Sequence, residues 1–251
     1  METSFYEKYL GTTPEQVFKF FSVNDNLEKT LKENYLWLSK PTDFNDPFDC
    51  NDNLVSFNIK EKDIENFVKT HFPGRRQEKR KEIRLHKKQP ESFKNALKSS
   101  LSDIIKEQGI CCFSRTYKNI LMWSHYADRH KGICIGFNPR KSKTINLILH
   151  VSYEQDFRTV EYFSEKEEAL MSMMITKSID WQYEEEMRII KDYNGRLPFE
   201  KECVQQIIFG CRTLDSDKKQ IKELINNNGY NNVLFQQATM SKTSFSLDFE
   251  K

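Results

Sequence analysis

Residues 120–137 read I-L-M-W-S-H-Y-A-D-R-H-K-G-I-C-I-G-F, and the rest of the chain can be interpreted outward from them. The stretch begins with four apolar residues, continues with a dense polar block and ends in an apolar segment after Gly132. In residues 133–137 large apolar side chains alternate with smaller residues, and this period of two predicts a half-buried strand. The polar block is therefore expected on a short helix or turn that leads into the strand, near the surface of a sheet.

The polar block combines two histidines, a tyrosine and a tryptophan within eight residues. Plain packing rarely requires so many titratable side chains, so we favour a functional site, with a structural hydrogen-bond network as the alternative. The side chains predicted to bind a substrate here are Trp123, Ser124, His125, Tyr126, His130 and Lys131.

A second polar concentration occupies residues 180–191, D-W-Q-Y-E-E-E-M-R-I-I-K. In an extended chain Glu184, Glu186 and Arg188 project from one face, and Trp181 and Tyr183 also share a face. Two carboxylates beside a guanidinium indicate either a salt-bridged group or a catalytic carboxylate held by a cation. We predict that the two glutamates and the arginine are catalytic, and that Trp181 and Tyr183 bind the substrate.

The loop K-P-T-D-F-N-D-P-F-D-C at residues 40–50 is rich in proline and aspartate. Its residues are typical of an Asx turn, and a turn is the favoured interpretation. The alternative is that its acidic side chains line a pocket or bind a cation, although their spacing lacks the longer ligand series of a calcium loop. We keep Asn45, Asp46 and Asp49 as substrate-binding candidates.

A helical insertion is predicted at about residues 59–108. Within it, residues 75–88 contain eight Lys or Arg against two glutamates, and no Phe, Tyr or Trp. Such a helix can contact phosphates without stacking on bases, although charged runs are more often solvated helix faces. The candidate nucleic-acid-binding side chains are Arg75, Arg76, Arg80 and Lys81.

The whole chain predicts one α+β domain over residues 1–251, with a mixed or antiparallel sheet body around that insertion. Its 251 residues can bury a sizeable core, and its net charge of +2 does not by itself dictate a nucleic-acid partner. The six cysteines include no C-x-x-C pair, so we predict neither a disulfide framework nor a metal site. No signal region or membrane-length apolar run is present, and we expect a cytoplasmic protein without a membrane partner.

Four motifs in this order resemble the bacterial domain-of-unknown-function family numbered 2971. They are F-N-D-P-F-D at 44–49, the W-S-H-Y run at 123–137, W-x-Y-E-x-E-x-R at 181–188 and I-I-F-G-C-R at 207–212. The layout is similar to ADP-ribosyltransferase-like folds, in which NAD binds in a cleft between two small packed sheets. Such enzymes serve in phage defence and as toxins, and this analogy is one of fold rather than of site.

The resemblance implies an enzyme that cleaves NAD or transfers ADP-ribose from it, with NAD as the substrate. Glu186 would stabilise the oxocarbenium-like state, and Glu184 and Arg188 would support it. His125, Tyr126 and His130 would position the substrate, while Trp181 or Tyr183 would stack on it.

Two other functions remain open at this point. A non-enzymatic module would use the polar motifs as one buried network and bind nucleic acid or a protein, the former through the basic helix at 75–88. A metal-dependent nuclease would recruit carboxylates and His125 as ligands or bases, although no recognised nuclease signature is present.

Overall fold

Residues 12–250 of the chain are described in a computed structural model. The α-helices among them are α1 (Asp25–Glu33), α2 (Glu61–His71), α3 (Arg76–Lys88), α4 (Pro90–Lys106), α5 (Ile120–Tyr126), α6 (Lys166–Ile175) and α7 (Asp215–Asn227). The strands are β1 (Val17–Phe21), β2 (Tyr35–Leu38), β3 (Val55–Ser56), β4 (Gly109–Ser114), β5 (Ile133–Phe137), β6 (Leu149–His150), β7 (Ser152–Glu154), β8 (Val160–Glu161), β9 (Thr176–Ser178), β10 (Glu186–Lys191), β11 (Gly195–Pro198), β12 (Val204–Phe209), β13 (Leu234–Met240) and β14 (Leu247–Glu250).

The chain divides into two compact units. The sheet unit contains residues 12–40, 108–153 and 179–250, and the helical unit contains residues 41–107 and 154–178. Three consecutive helices, α2 to α4, occupy most of the predicted helical insertion. The helical unit is larger than that insertion, because it also includes residues 41–58 and 154–178.

The sheet unit is built on eight strands in the order β14-β13-β12-β5-β1-β4-β10-β6. Neighbouring strands are antiparallel except β12 and β13, which are parallel and are joined through α7. This mixed sheet with flanking helices confirms the predicted α+β class. The strands do not separate into two small packed sheets, because β5 pairs with β1 on one side and with β12 on the other.

Strand β5 lies inside the sheet and is buried along its whole length, rather than half-buried as the alternation predicted. Ile133, Ile135 and Phe137 enter one hydrophobic core, and Cys134 enters a second core on the opposite face. The alternation is therefore correct in period. The alternation does not mean that one face of β5 is exposed to solvent, because helices cover both faces of the sheet.

The two cores of the sheet unit have different partners. Helices α1 and α7 contribute Leu27, Leu31 and Ile221 to the larger core. Helix α5 contributes Trp123, which packs edge to face on Phe20 in the smaller core. The smaller core covers the face of the sheet on which the site residues described below are found.

The helical unit has its own hydrophobic cores, built from amphipathic helices. Ile64 and Val68 of α2 and Phe93 of α4 form one of them, because residues three or four apart share a helix face. Met173 of α6 is fully buried in another, where it packs with the segment around Leu54. The methionines of α6 therefore act as core residues.

Candidate functional site

The centre of the candidate site is an ion pair within strand β10. Arg188 donates from Nε to Oε1 of Glu186 at 2.8 Å and from Nη2 to Oε2 at 3.0 Å. The arginine is 0% exposed and the glutamate 5% exposed. Two parallel hydrogen bonds between guanidinium and carboxylate are the strongest ion-pair geometry that proteins use, and burial protects them from screening.

The strand register determines which face of the sheet carries this pair. Glu186 lies opposite Ser114 of β4, and Ser114 lies opposite Phe18 of β1. Directly opposed residues project from the same side of a sheet, so Glu186 shares a side with Phe18. Phe18 belongs to the smaller core together with Trp123, and the ion pair is therefore on the face that α5 covers.

Glu184 forms the second half of the site. It ends a 3-10 helix, Ile179–Glu184, and its carboxylate accepts a 2.6 Å hydrogen bond from the hydroxyl of Tyr126 on α5. Glu184 is 3% exposed, slightly less than the 5% of Glu186. The two polar concentrations predicted from the sequence are thus joined directly by one short hydrogen bond.

Backbone contacts hold the two glutamates in place. The hydroxyl of Ser114 donates to the carbonyl of Glu184 at 2.6 Å and accepts from the N–H of Thr116 at 3.1 Å. Between the glutamates, Glu185 adopts a left-handed backbone with φ 44°, which a residue with a side chain rarely does. The N–H of Glu186 donates to the Tyr153 hydroxyl at 2.7 Å.

Burial and charge shift two titratable groups of the site. Desolvation raises the pKa of Tyr126 far above its ordinary value, and the hydrogen bond to Glu184 and the charge of that carboxylate raise it further. The phenol is therefore a neutral donor at pH 7. The pKa of Cys112, which lies opposite Arg188, is also well above its ordinary value, first because of burial and then because of Glu186.

Comparison with known proteins gives one family match. Residues 122–189 match the family model of DUF2971. That family is described as "Protein of unknown function". No curated protein and no solved structure matches the chain. The DUF2971 match contains Tyr126, Glu184, Glu186 and Arg188, while the motifs at 44–49 and 207–212 lie outside it.

Apart from Tyr126, the predicted substrate-binding residues of the first motif divide into three groups. Trp123 is fully buried, and its indole N–H donates to the Tyr117 carbonyl at 2.6 Å, so it is a core residue. Ser124, His125 and Lys131 are exposed, and the ring of His125 lies 6.1 Å from that of Tyr126.

His130 forms the third group, away from the glutamates. It follows two other left-handed residues, Asp128 and Arg129, with φ values of 43°, 56° and 70° along the three. This turn directs His130 into a cavity with Arg212 and the β13–β14 hairpin. Burial lowers its pKa, and the positive charge of Arg212 lowers it further.

The aromatic pair of the second motif lies immediately before the glutamates. The ring centroids of Trp181 and Tyr183 are 6.0 Å apart with an interplanar angle of 39°. The side-chain amide of Asn119 donates to the carbonyl of Tyr183 at 3.3 Å, which connects this segment to the start of α5. Both rings are partly exposed.

The predicted residues of the 40–50 loop belong to the helical unit. Asp46 is buried and accepts from the N–H of Phe48 at 2.9 Å, which is the geometry of the expected Asx turn. Asp49 accepts from the N–H of Cys50 at 2.9 Å and lies 3.9 Å from the ammonium of Lys177. Asn45 is exposed.

Three polar groups with important contacts were missed at the sequence level. Ser114 and Tyr153 support the glutamates, and Lys177 is a buried lysine beside Asp49. Serine and tyrosine on ordinary strands carry no local signal of such a role. Lys177 follows the methionine-rich helix in an apolar context, and that environment is the signal that could have identified it.

Two structural absences apply to the described part of the chain. Within residues 12–250, no three His, Cys, Asp or Glu side chains lie close enough together to hold a metal ion. In the same residues, no helix is both long and apolar enough to cross a membrane.

The four predicted nucleic-acid contacts are all on or next to α3. Arg75, Arg76, Arg80 and Lys81 are exposed, and none has a carboxylate partner within 4.0 Å among the residues that the structure describes. By contrast, Lys87 on the same helix is bound to Glu61 and Glu65 of α2 at 2.8 and 2.7 Å. The side of α3 with Lys87 thus packs on α2, and the four predicted cations remain in solvent.

Proposed function

We propose that the chain is an enzyme that cleaves NAD or transfers ADP-ribose from it, in the manner of ADP-ribosyltransferase-like proteins. One observation supports this most strongly. Two buried carboxylates, Glu184 and Glu186, flank Glu185 in the sequence and both act on the pKa of Tyr126, and each has a dedicated donor in Tyr126 or Arg188. Buried charged groups cost several kcal/mol unless paired, so such clusters concentrate at functional sites.

The chemistry of NAD cleavage suits such a cluster. When nicotinamide leaves, positive charge develops on the ribose, and a fixed carboxylate stabilises that charge in a low-dielectric site. We assign this role to Glu186, because both hydrogen bonds from Arg188 fix the orientation of its carboxylate. Glu184 adds negative potential beside it, and Tyr126, a neutral donor at pH 7, holds Glu184 in position.

The remaining motif residues are assigned to substrate binding. Trp181 and Tyr183 provide partly exposed rings that can stack on the nicotinamide or the adenine. His125, exposed beside Tyr126, would position a polar group of the substrate. These assignments follow the resemblance noted in the sequence. They depend on the catalytic role proposed for Glu186 and Glu184.

The test is nicotinamide release from NAD, measured by chromatography with the purified full-length protein. The assay is run without an acceptor and with nucleic acid or protein acceptors. We expect Glu186→Gln to lower the rate by about 10²–10³-fold, the usual loss when one electrostatic contact to the transition state is removed. Glu185→Gln is the matched control, since it makes the same change on an exposed neighbour.

Two results would contradict this proposal. The first is a wild-type protein that releases no nicotinamide with any acceptor. The second is a rate that Glu186→Gln and Glu184→Gln leave unchanged in variants whose circular dichroism and thermal unfolding match those of the wild type.

Nucleic-acid binding through α3 is a second candidate function, supported by the four exposed and unpaired cations described above. Binding to phosphates by such cations weakens steeply with salt, with a slope of roughly 0.7–0.9 in log K per neutralised phosphate. Replacing all four by glutamine should flatten the salt dependence of binding to a single-stranded oligonucleotide. The matched control replaces four exposed lysines of the sheet unit, Lys29, Lys118, Lys141 and Lys219. Equal salt slopes for both quadruple variants would contradict this function.

A further inference from the structure

A cavity of about 490 Å³ opens in the sheet unit beside the hairpin of β13 and β14. Three segments line it: Ile120 with His130, Cys211 with Arg212, and residues 240–247 of the hairpin. Neither Glu184 nor Glu186 lines this cavity. Its volume is within the range of roughly 300–1,000 Å³ that small-molecule sites occupy.

The charge of this cavity is positive. Arg212 and Lys242 are both exposed, and neither has a carboxylate within 4.0 Å in the part of the chain that the structure describes. No aspartate or glutamate is among the lining residues. Two unpaired cations without a nearby anion attract a negatively charged ligand.

Hydroxyl groups cluster along the hairpin turn of the same cavity. The Ser244 hydroxyl lies 2.7 Å from that of Ser246 and 3.3 Å from that of Ser241. Thr243 contributes a fourth exposed hydroxyl. Serine and threonine hydroxyls rotate freely and commonly donate to phosphate oxygens.

The apolar part of the cavity includes a side chain that the fold leaves in water. Phe245 is 100% exposed at the hairpin turn, and Met240 at the end of β13 is 69% exposed. A fully exposed phenyl ring next to cations is a stacking surface for a planar ligand, because every nucleobase has a π-face and stacking is tolerant of sequence.

His130 adds a polar atom that lacks a partner. Its left-handed backbone is held by its N–H, which donates to the Trp123 carbonyl, and by its carbonyl, which accepts from the N–H of Arg212 at 3.0 Å. Its Nδ1 is buried and forms no hydrogen bond to any described residue. A buried polar nitrogen without a partner is unfavourable, and a ligand that hydrogen-bonds to it would remove that cost.

We propose that this cavity binds a nucleotide. The base stacks on Phe245. The phosphate is held by Arg212, Lys242 and the hairpin hydroxyls, and Nδ1 of His130 hydrogen-bonds to the bound molecule. The ligand is either a free nucleotide or the phosphorylated end of a single strand, which present the same chemistry. This proposal does not depend on NAD cleavage. Of the residues predicted to take part in that reaction, it uses only His130.

Calorimetric titration of the full-length protein tests the site. The probes are AMP, GMP, CMP and UMP, with adenosine and inorganic phosphate as partial ligands. A short single-stranded oligonucleotide, with and without a 5′ phosphate, distinguishes a strand end from a free nucleotide. NAD is left out, so that failure here and failure of the proposed reaction are separable. Nucleotides should bind more tightly than either partial ligand.

The variants separate stacking from charge. Phe245→Ala should weaken nucleotide binding by about 5- to 100-fold, the usual loss for one stacked base. Arg212→Gln with Lys242→Gln should weaken nucleotides but not adenosine. Phe157→Ala and Lys219→Gln are the matched controls, because both residues are exposed and neither lines the cavity.

Each outcome decides the question. Binding of only the 5′-phosphorylated strand supports the proposal with a strand end as the ligand. Absence of binding by every nucleotide and by the strand overturns it, and so does an affinity that Phe245→Ala leaves unchanged. AMP should shift the His130 ring resonances of the wild type. If inorganic phosphate does not cause this shift, and AMP does not cause it in Phe245→Ala, the ligand lies in this cavity.

Discussion

Glu186 and Arg188 are two residues apart on strand β10, and their side chains form two parallel hydrogen bonds of 2.8 and 3.0 Å on one face of the sheet. This geometry is available because alternate residues of a strand project to the same side. The pair is nearly inaccessible to solvent, so each charge depends on its partner far more than an exposed ion pair would.

We predict that Arg188→Met lowers the free energy of unfolding by about 3–5 kcal/mol, since it removes the guanidinium from a buried carboxylate. The double variant Glu186→Gln with Arg188→Met should be more stable than Arg188→Met alone, because no uncompensated negative charge is then left at position 186. Urea unfolding of the wild type, both single variants and the double variant gives the coupling energy.

The control for this cycle is an exposed ion pair in the same unit, Arg196 with Glu33. Its removal should change stability by less than about 1 kcal/mol. If the double variant at 186 and 188 loses as much stability as the sum of its two single variants, the two side chains are not coupled and the prediction is wrong.

Tyr126→Phe should make the alkaline loss of stability less steep. The pKa of Tyr126 is raised in the folded protein by burial first and by Glu184 second, above its ordinary value of 10.0. Above pH 10 the unfolded chain therefore releases this proton before the folded chain does, and the stability contribution is lost as the pH rises toward the folded pKa. Below pH 10 the contribution is complete.

Unfolding in urea from pH 8 to pH 11 measures this effect. The phenylalanine variant should also be less stable at pH 8 by roughly 1.5–3 kcal/mol, the value of a hydrogen bond to a charged group. Tyr117→Phe serves as the control. Among the described residues, the ring contacts of Tyr117 are with Phe18 and Phe249, and no carboxylate is one of them. Parallel pH profiles for the wild type and Tyr126→Phe would refute the assignment.

Local patterns in the sequence predicted the strand at 133–137 and the shared face of Glu186 and Arg188. Both predictions were correct because β5 and β10 are regular strands, in which a period of two holds. Glu184 was expected on the same strand face. It instead ends a 3-10 helix, because Glu185 adopts a left-handed backbone that interrupts the alternation.

Contacts between distant segments could not be predicted in this way. The hydrogen bond from Tyr126 to Glu184 joins residues 58 positions apart and depends on where α5 packs on the sheet. His130 was grouped with His125 because they are near in sequence. Three consecutive left-handed residues then direct His130 into the cavity beside the β13–β14 hairpin, and no local pattern predicts such a turn in residues other than glycine.

Gly132 is predicted to tolerate no side chain. A Cβ there would overlap with the backbone carbonyl oxygen of Phe21 on the neighbouring strand, which cannot move without disrupting the pairing of β1 with β5. Gly132→Ala should therefore destabilise the protein by about 3 kcal/mol or more, at the upper end of the cost of overpacking. Thermal unfolding and the yield of soluble protein are the measurements.

Gly136→Ala is the matched comparison, since Gly136 lies within β5 and Gly132 immediately precedes that strand. Its nearest neighbour would be the side-chain amide of Gln16 at 2.7 Å, which can rotate away, with Cβ of Gln206 at 3.2 Å. The cost should be smaller than at Gly132. An equal or larger loss at Gly136 would show that backbone overlap is not the reason for glycine at position 132.

His130 should titrate below the ordinary histidine value of 6.5 in the folded protein. Burial is the larger cause of its lowered pKa and the charge of Arg212 the smaller one, so Arg212→Gln should raise the midpoint only part of the way back. Proton NMR of the imidazole ring from pH 5 to pH 8 measures both midpoints. The spectrum of His130→Gln separates its resonance from that of His150, whose pKa is also lowered, by burial and by Arg115.

The same shift predicts how His130 affects stability in acid. Between the folded pKa and 6.5 the unfolded chain binds the proton more readily, so stability falls as the pH decreases through this window and is fully present above pH 6.5. His130→Gln removes the titrating group, and its urea midpoint should decline less between pH 7 and pH 5 than that of the wild type. A midpoint restored to 6.5 by Arg212→Gln alone would mean that charge outweighs burial at this histidine. Nδ1 would then lie in contact with water, and it would not be the buried nitrogen that the nucleotide cavity requires.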